Sequence, residues 1–189
     1  MIEIVDYRPT WPDDFARIAA VQRAALGPLA LRIDHIGSTS VPRLCSKDVI
    51  DVQITVAALD PRVTEALVSI GYEQSQSISR DHRPPGDTAP DAEWEKLFFR
   101  PPAGQRRTNT HVRVLGRPNQ RYALLVRDYL IAHPQTAAAY GELKRRLAAS
   151  LANPDEDYPD VKDPACDLIY LPAERWADAT RWSPSALHA

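Results

Sequence analysis

The stretch from Asp34 to Val56, DHIGSTSVPRLCSKDVIDVQITV, holds the residue types that handle phosphate. A strand-like run ends in Gly37-Ser38-Thr39-Ser40, and a second strand-like run then carries the carboxylate of Asp51. Backbone amides and a hydroxyl in such a turn can hold phosphate oxygens. A transfer centre with two divalent cations keeps them about 3.5–4 Å apart and needs a second acid to do so. Two residues beyond Asp51 that place is taken by Gln53, whose carbonyl brings no charge. Asp51 alone suits one magnesium ion that is also held by substrate phosphates. A later run, TNTHVRVLG, adds His111 and Arg113, and a guanidinium there attracts phosphate and repels a metal. The candidate set is therefore Asp51, His111 and Arg113 for chemistry, with Asp51 as the metal ligand. Gly37, Ser38, Thr39, Ser40, Lys47 and Gln53 are the candidates for holding substrate.

These residues need elements to bring them together. In DVIDVQITV, alternation sends Ile50, Val52, Ile54 and Val56 to one face and Asp51, Gln53 and Thr55 to the other. TNTHVRVLG does the same, with Asn109, His111 and Arg113 opposite Val112 and Val114. LALRIDHIGS reads as a further strand, WEKLFFRP as another with Lys96, Phe98 and Arg100 on one side, and YEQSQSISRDH as one more. PTWPDDFARIAAVQRAALGP predicts a first helix, capped by Thr10, stopped by Gly27-Pro28, with Phe15, Ile18, Ala25 and Leu26 near one face. DPRVTEALVSIGY predicts a second, with Asp60 as cap, Pro61 at its first position and Gly71 at its end. RPPGDTAPDAEW reads as a loop. Three helical runs follow: Tyr122, Leu125, Val126, Tyr129 and Leu130 mark one stripe, Tyr140, Leu143, Leu147 and Leu151 the next, and a last helix reaches Trp182. The order predicts an α+β fold: a mixed sheet in residues 1–116, helices on one side, and a helical half in 117–189 over the other.

The bulk numbers narrow the function classes. A chain of 189 residues can bury one sizeable core. A net charge of -2 and no basic stripe speak against a nucleic-acid binder. No apolar run approaches the roughly 20 residues of a membrane span, and the acidic, proline-broken N-terminal segment does not read as a signal peptide. Cys45 and Cys166 lack metal-like spacing and read as reduced thiols of a cytoplasmic protein. There is no G-x-x-x-x-G-K-[ST] phosphate loop.

The blocks DHIGSTSVP, KDVIDVQITV, RDH, HVRVLGRPNQRYALLVRDYLIAHP and YGELKRRLA, in this order, resemble the GrpB family. That family occurs as free-standing bacterial proteins and fused to actinobacterial dephospho-CoA kinases. The resemblance implies a nucleotidyltransferase-like fold, shared with polymerase beta. On it, Gly37-Ser38 matches the phosphate turn and Asp51 the first metal carboxylate, while Gln53 departs from the second. Arg43 stands where the family often has glycine, and its charge is expected to tighten anion binding.

Two functions follow as expectations. One is binding of a nucleotide or other phosphorylated small molecule with magnesium, with nucleotidyl transfer as the reaction if there is one. The other is a catalytically degenerate assembly partner of a dephospho-CoA kinase. Plainer readings stand beside them. Asp51 can cap a backbone amide, His35 can be a core histidine bonded to Asp34 or a carbonyl, and Asp81-His82 can either begin a loop or position a substrate beside the cleft. The arginines of LKRRLA read as a solvated helix face, and Trp94, Trp176 and Trp182 as packing.

Overall fold

A computed structural model describes residues 3–151 and 154–184. Helix α1 (Trp11–Leu26) leads through a short 3-10 turn into β1 (Arg32–Ile36), and a second 3-10 turn, Ser38–Ser40, leads towards β2 (Ile50–Val56). Then come α2 (Pro61–Ser69), β3 (Glu73–Gln74), β4 (Leu97–Arg100) and β5 (Thr108–Val114). Three helices complete the order: α3 (Pro118–Ala132), α4 (Pro134–Ser150) and α5 (Pro154–Thr180). The sheet runs β1-β2-β5-β4-β3. Only β2 and β5 are parallel; the other neighbours are antiparallel. This is the mixed sheet that the strand patterns predict.

One face of the sheet is apolar. Ile50, Val52, Ile54 and Val56 pack with Phe99 and Val112 against Trp11 and Leu26 of α1 and Val63 and Leu67 of α2. Full burial of such side chains contributes about 1.5–3 kcal/mol each before packing terms. Trp11 and Gln22 lie deepest in α1, although neither stands out in its sequence. Gln22 is buried because its Nε2 donates to Thr110 Oγ1 at 2.9 Å. Thr10 occupies the cap position of α1 but makes no capping hydrogen bond, whereas Asp60 caps α2 by accepting from the Arg62 amide at 2.8 Å.

A second core joins the C-terminal helices. Leu125, Tyr129 and Leu130 of α3 pack with Ala137 and Tyr140 of α4 and Ile169, Ala173 and Ala177 of α5. Val41 and Leu44 from the loop before β2 complete it. Trp176 and Trp182 pack on its edge and Trp94 is buried, so the packing reading of these three holds. The stripe on α4 departs from the expected one at Leu143: Tyr140 is buried as expected, but Leu143 is exposed and Lys144 is buried in its place. The strand expected across residues 72–82 shrinks to Glu73–Gln74. Beyond it the chain keeps alongside β4 and its approach through isolated bonds, among them Ser75 N to Phe98 O, Lys96 N to Ser79 O and Asp81 N to Trp94 O.

Candidate functional site

The opposite, polar face of the sheet forms the floor of a cavity of about 750 Å³, roofed by α3, α4 and α5. Alternation dictates its floor. Asp51 pairs with Asn109 across β2 and β5, and Phe98 pairs with His111 across β4 and β5. Asn109, His111 and Arg113 therefore point into the cavity together with Asp51, Lys96, Phe98 and Arg100.

At one end Gly37 follows β1 and lies against Asp51, because Ile36 and Asp51 are register partners. Gly37 adopts φ +68°, and a Cβ added there would lie 2.2 Å from Asp51 Oδ2. Only glycine lets the turn approach the carboxylate this closely. Asn109 Nδ2 donates to Asp51 Oδ1 at 2.9 Å. Burial pushes the Asp51 carboxyl above its usual range, against the pull of Asn109 and of the charges on Lys162, Lys47 and Arg113. Ser38 and Lys47 also face this end.

At the other end Asp81 is the hub. Arg113 donates to it through Nε at 2.7 Å and through an η nitrogen at 2.8 Å, Lys96 Nζ at 2.6 Å, and Asn119 Nδ2 at 3.1 Å. Burial alone would raise this carboxyl, but Arg113 and Lys96 outweigh it and hold it well below the usual carboxylate range. The other η nitrogen of Arg113 donates to Gln53 Oε1 at 2.6 Å. His111 Nδ1 lies 3.2 Å from Arg113 and 3.3 Å from Lys96 Nζ. Burial, then these two cations, push the imidazole well below its ordinary pKa, so it is neutral at pH 7. Both neighbours of Nδ1 are donors, which makes Nδ1 the acceptor and leaves the ring proton on Nε2. His111 can thus donate a hydrogen bond from Nε2.

The structure brings Gly37, Ser38, Lys47, Asp51, His111 and Arg113 to one cavity. It does not bring Thr39, Ser40 or Gln53 there. Thr39 is fully buried, with its hydroxyl 2.9 Å from His35 Nε2. Ser40 turns back and donates to Gly37 O at 2.5 Å. Gln53 is fully buried: Nε2 donates to Gln120 O at 3.1 Å while Oε1 accepts from Arg113. The partner of His35 is thus neither Asp34 nor a carbonyl, since adjacent strand residues face opposite sides. The ring stacks on Phe15, 4.8 Å between centroids, and burial lowers its pKa to about 4. Arg43 is exposed and outside the cavity wall; its φ is +68°, a conformation that suits glycine.

Sequence reasoning missed Lys144 and left Asp81 open between a loop start and a cleft residue; the structure puts Asp81 in the cavity wall. Asp81 lies in a loop with no period to announce it. Lys144 enters from α4, four residues after Tyr140; its Nζ donates to Cys45 O and sits 4.7 Å from the Tyr140 ring centroid. Burial lowers its pKa to about 7. His82 Nε2 lies 2.7 Å from Asp167 Oδ2, which ties the loop after β3 to α5.

Lys and Arg outnumber Asp in the cavity wall nine to three. Asp81 is saturated by its donors, and the place of a second metal carboxylate is the buried amide of Gln53. Among the described residues no group of three or more His, Cys, Asp or Glu could hold a metal. The residues do not fit a resident metal pair. An ion brought in on a ligand's phosphates would find Asp51 as its carboxylate. The arrangement fits an anion better than a cation.

Comparison with known proteins places this geometry. The GrpB protein family model matches residues 1–171. The chain is 37% identical over 199 residues to a dephospho-CoA kinase of Mycobacterium tuberculosis, covering 96% of this chain and 48% of the kinase. It is 29% identical to the UPF0157 protein YqkA of Bacillus subtilis, covering 93% of this chain and 48% of that one. The chain thus spans about half the length of these curated relatives. The crystal structure of conserved protein GrpB from Enterococcus faecalis superposes with a TM-score of 0.73 at 27% identity, covering 92% of this chain and 99% of that one. The Cid1 poly(U) polymerase superposes with a TM-score of 0.52 at 11% identity, over 77% of this chain and 44% of that one, a likeness of fold alone. The fold is nucleotidyltransferase-like, and the chain belongs to the GrpB family.

Proposed function

We propose that the cavity binds a phosphorylated small molecule, with nucleotides as the class that the fold favours. The observation that supports this most is the wall itself: a cavity of about 750 Å³ with nine Lys and Arg residues against three Asp, whose glycine turn touches Asp51. In this reading the Gly37-Ser38 turn and Lys47 hold phosphate oxygens. His111 donates from Nε2 to an oxygen. Arg113 is engaged with Asp81 and Gln53 and contributes its field more than a free donor. Asp51 takes a magnesium ion only when the ligand's phosphates bring one. Nucleotidyl transfer is the reaction such a fold would run, and the missing second carboxylate argues for binding as the main activity. Calorimetry with ATP, CTP, GTP and coenzyme A precursors, with and without magnesium, tests the reading. Absence of heat with every one of them, in a folded sample, removes it.

A second reading has its own support. Curated dephospho-CoA kinases match this chain over half their length, which suggests a partner role beside such a kinase. Asp51→Asn separates the two. It should abolish the magnesium-dependent part of nucleotide binding in the first reading and leave capture of the kinase intact in the second.

A further inference from the structure

Most cations of the cavity wall already have a carboxylate. Arg80, Lys96, Arg113, Arg127 and Lys162 each lie in an ion pair, the longest at 3.9 Å. Lys144 donates to a backbone carbonyl. Arg100 and Arg107 differ: both line the cavity, both are exposed, and neither side chain has a hydrogen bond or ion pair among the described residues.

Their placement is specific. Phe99 pairs with Thr110, so the ladder carries Arg100 to the level of Asn109, the residue that holds Asp51. Arg107 lies two residues before Asn109, and its carbonyl accepts from the Ile50 amide, one residue from Asp51. The neighbouring Arg106 shows what a structural arginine does in this loop. It turns to the other side and is held by Asp14 and by the side chain and carbonyl of Asp48. Arg107 forgoes those carboxylates and faces the cavity. Two guanidinium groups at diagonal positions on one face repel each other, and Glu73, opposite Arg100 across β3 and β4, forms no ion pair with it among the described residues. A chain of phosphates would relieve that repulsion and take bidentate hydrogen bonds from both.

We propose that Arg100 and Arg107 form a distal subsite, beside the Gly37–Asp51 end, for the outer phosphates of a linear polyphosphate chain. The inference rests on the phosphate reading of the cavity proposed above. It adds a rule of selectivity: ligands with three phosphates in line are preferred to those with one or two.

The test is calorimetry on the full chain with orthophosphate, pyrophosphate, tripolyphosphate, AMP and ATP, on the natural protein and on Arg100→Gln/Arg107→Gln. Both side chains are exposed, so the double variant should fold, which circular dichroism checks. The expected result is affinity rising at least roughly tenfold from pyrophosphate to tripolyphosphate in the natural protein, and loss of that step in the variant. ATP binding tighter than tripolyphosphate assigns the chain to a nucleoside; the reverse order assigns it to inorganic polyphosphate. A step that survives in the folded double variant overturns this proposal alone. Absence of binding to all five compounds in the natural protein overturns it together with the reading beneath it.

Discussion

At one end of the cavity floor Asp51 accepts from Asn109, and burial pushes its carboxyl upward. At the other end Asp81 accepts from Arg113, Lys96 and Asn119, and its carboxyl is held far down. The two aspartates line one cavity, yet their surroundings do opposite work. At the Asp81 end the carboxylate is held by its donors, and the cluster stabilises the fold. The Asp51 end keeps Arg100 and Arg107 without a carboxylate partner among the described residues, which is what an anionic ligand requires. A perturbed carboxylate is therefore not enough to mark a functional group; the sign of the perturbation and the number of satisfied partners decide between scaffold and site.

Substitution at the two aspartates should separate them most strongly. Asp81→Asn leaves Arg113 and Lys96 buried without their counter-charge and should lower stability by about 3–5 kcal/mol. Asp51→Asn removes a charge that burial disfavours and keeps an acceptor for Asn109, so its effect should stay within about 1 kcal/mol of zero. Urea denaturation of both variants measures the contrast, and equal losses would erase the distinction. Gly37→Ala comes next: the new Cβ meets Asp51 at a backbone angle that disfavours it, for a loss of about 2–3 kcal/mol. In a double-mutant cycle this loss should couple to Asp51 and add simply with any change at Asp81.

Acid should act through the histidines first. His35 has a folded pKa of about 4 against 6.5 in the unfolded chain, and His111 is lowered as well. Each favours the neutral form in the fold, so its contribution is fully present above about pH 6.5 and is lost as pH falls. For His35 the loss reaches at most about 3 kcal/mol by pH 4. Asp81 then adds a loss below about pH 4, as the unfolded chain takes up protons first. Asp51 has the opposite sign, since its folded pKa is raised and its ionisation weighs against the fold above that range. Urea midpoints between pH 7 and pH 4 should fall steadily; a flat profile contradicts the burial of these groups. The smallest effect is at Arg43, where Arg43→Gly relieves a left-handed backbone angle and should stabilise by about 1 kcal/mol, read as a rise in Tm.

The difference between the two ends also explains what the sequence could reveal. Alternation in β2 and β5 announces Asp51, Asn109, His111 and Arg113 on one face, because a strand with one buried face has no freedom in which side it shows. The glycine-serine turn is legible because a carboxylate one strand away leaves no room for a Cβ at Gly37. Gln53 obeys the same alternation but is sealed by Gln120, and no local pattern tells a polar residue facing a cavity from one facing a helix. Asp81, in a loop, and Lys144, on a helix stripe that reads as apolar, reach the cavity only through tertiary packing. The last helix, expected to reach Trp182, ends at Thr180. It carries Pro164 and Pro172 inside, which local propensity opposes, and Ile169, Ala173 and Ala177 hold it by packing against α3 and α4.

The central claim is that the Asp51 end of the cavity receives phosphate. Calorimetric titration of the folded protein with ATP, repeated at rising salt, tests it most directly. Binding should be present without magnesium, weaken as salt rises, and lose only its magnesium-dependent part in Asp51→Asn. No binding of ATP or of any other phosphate compound at low salt would contradict the account.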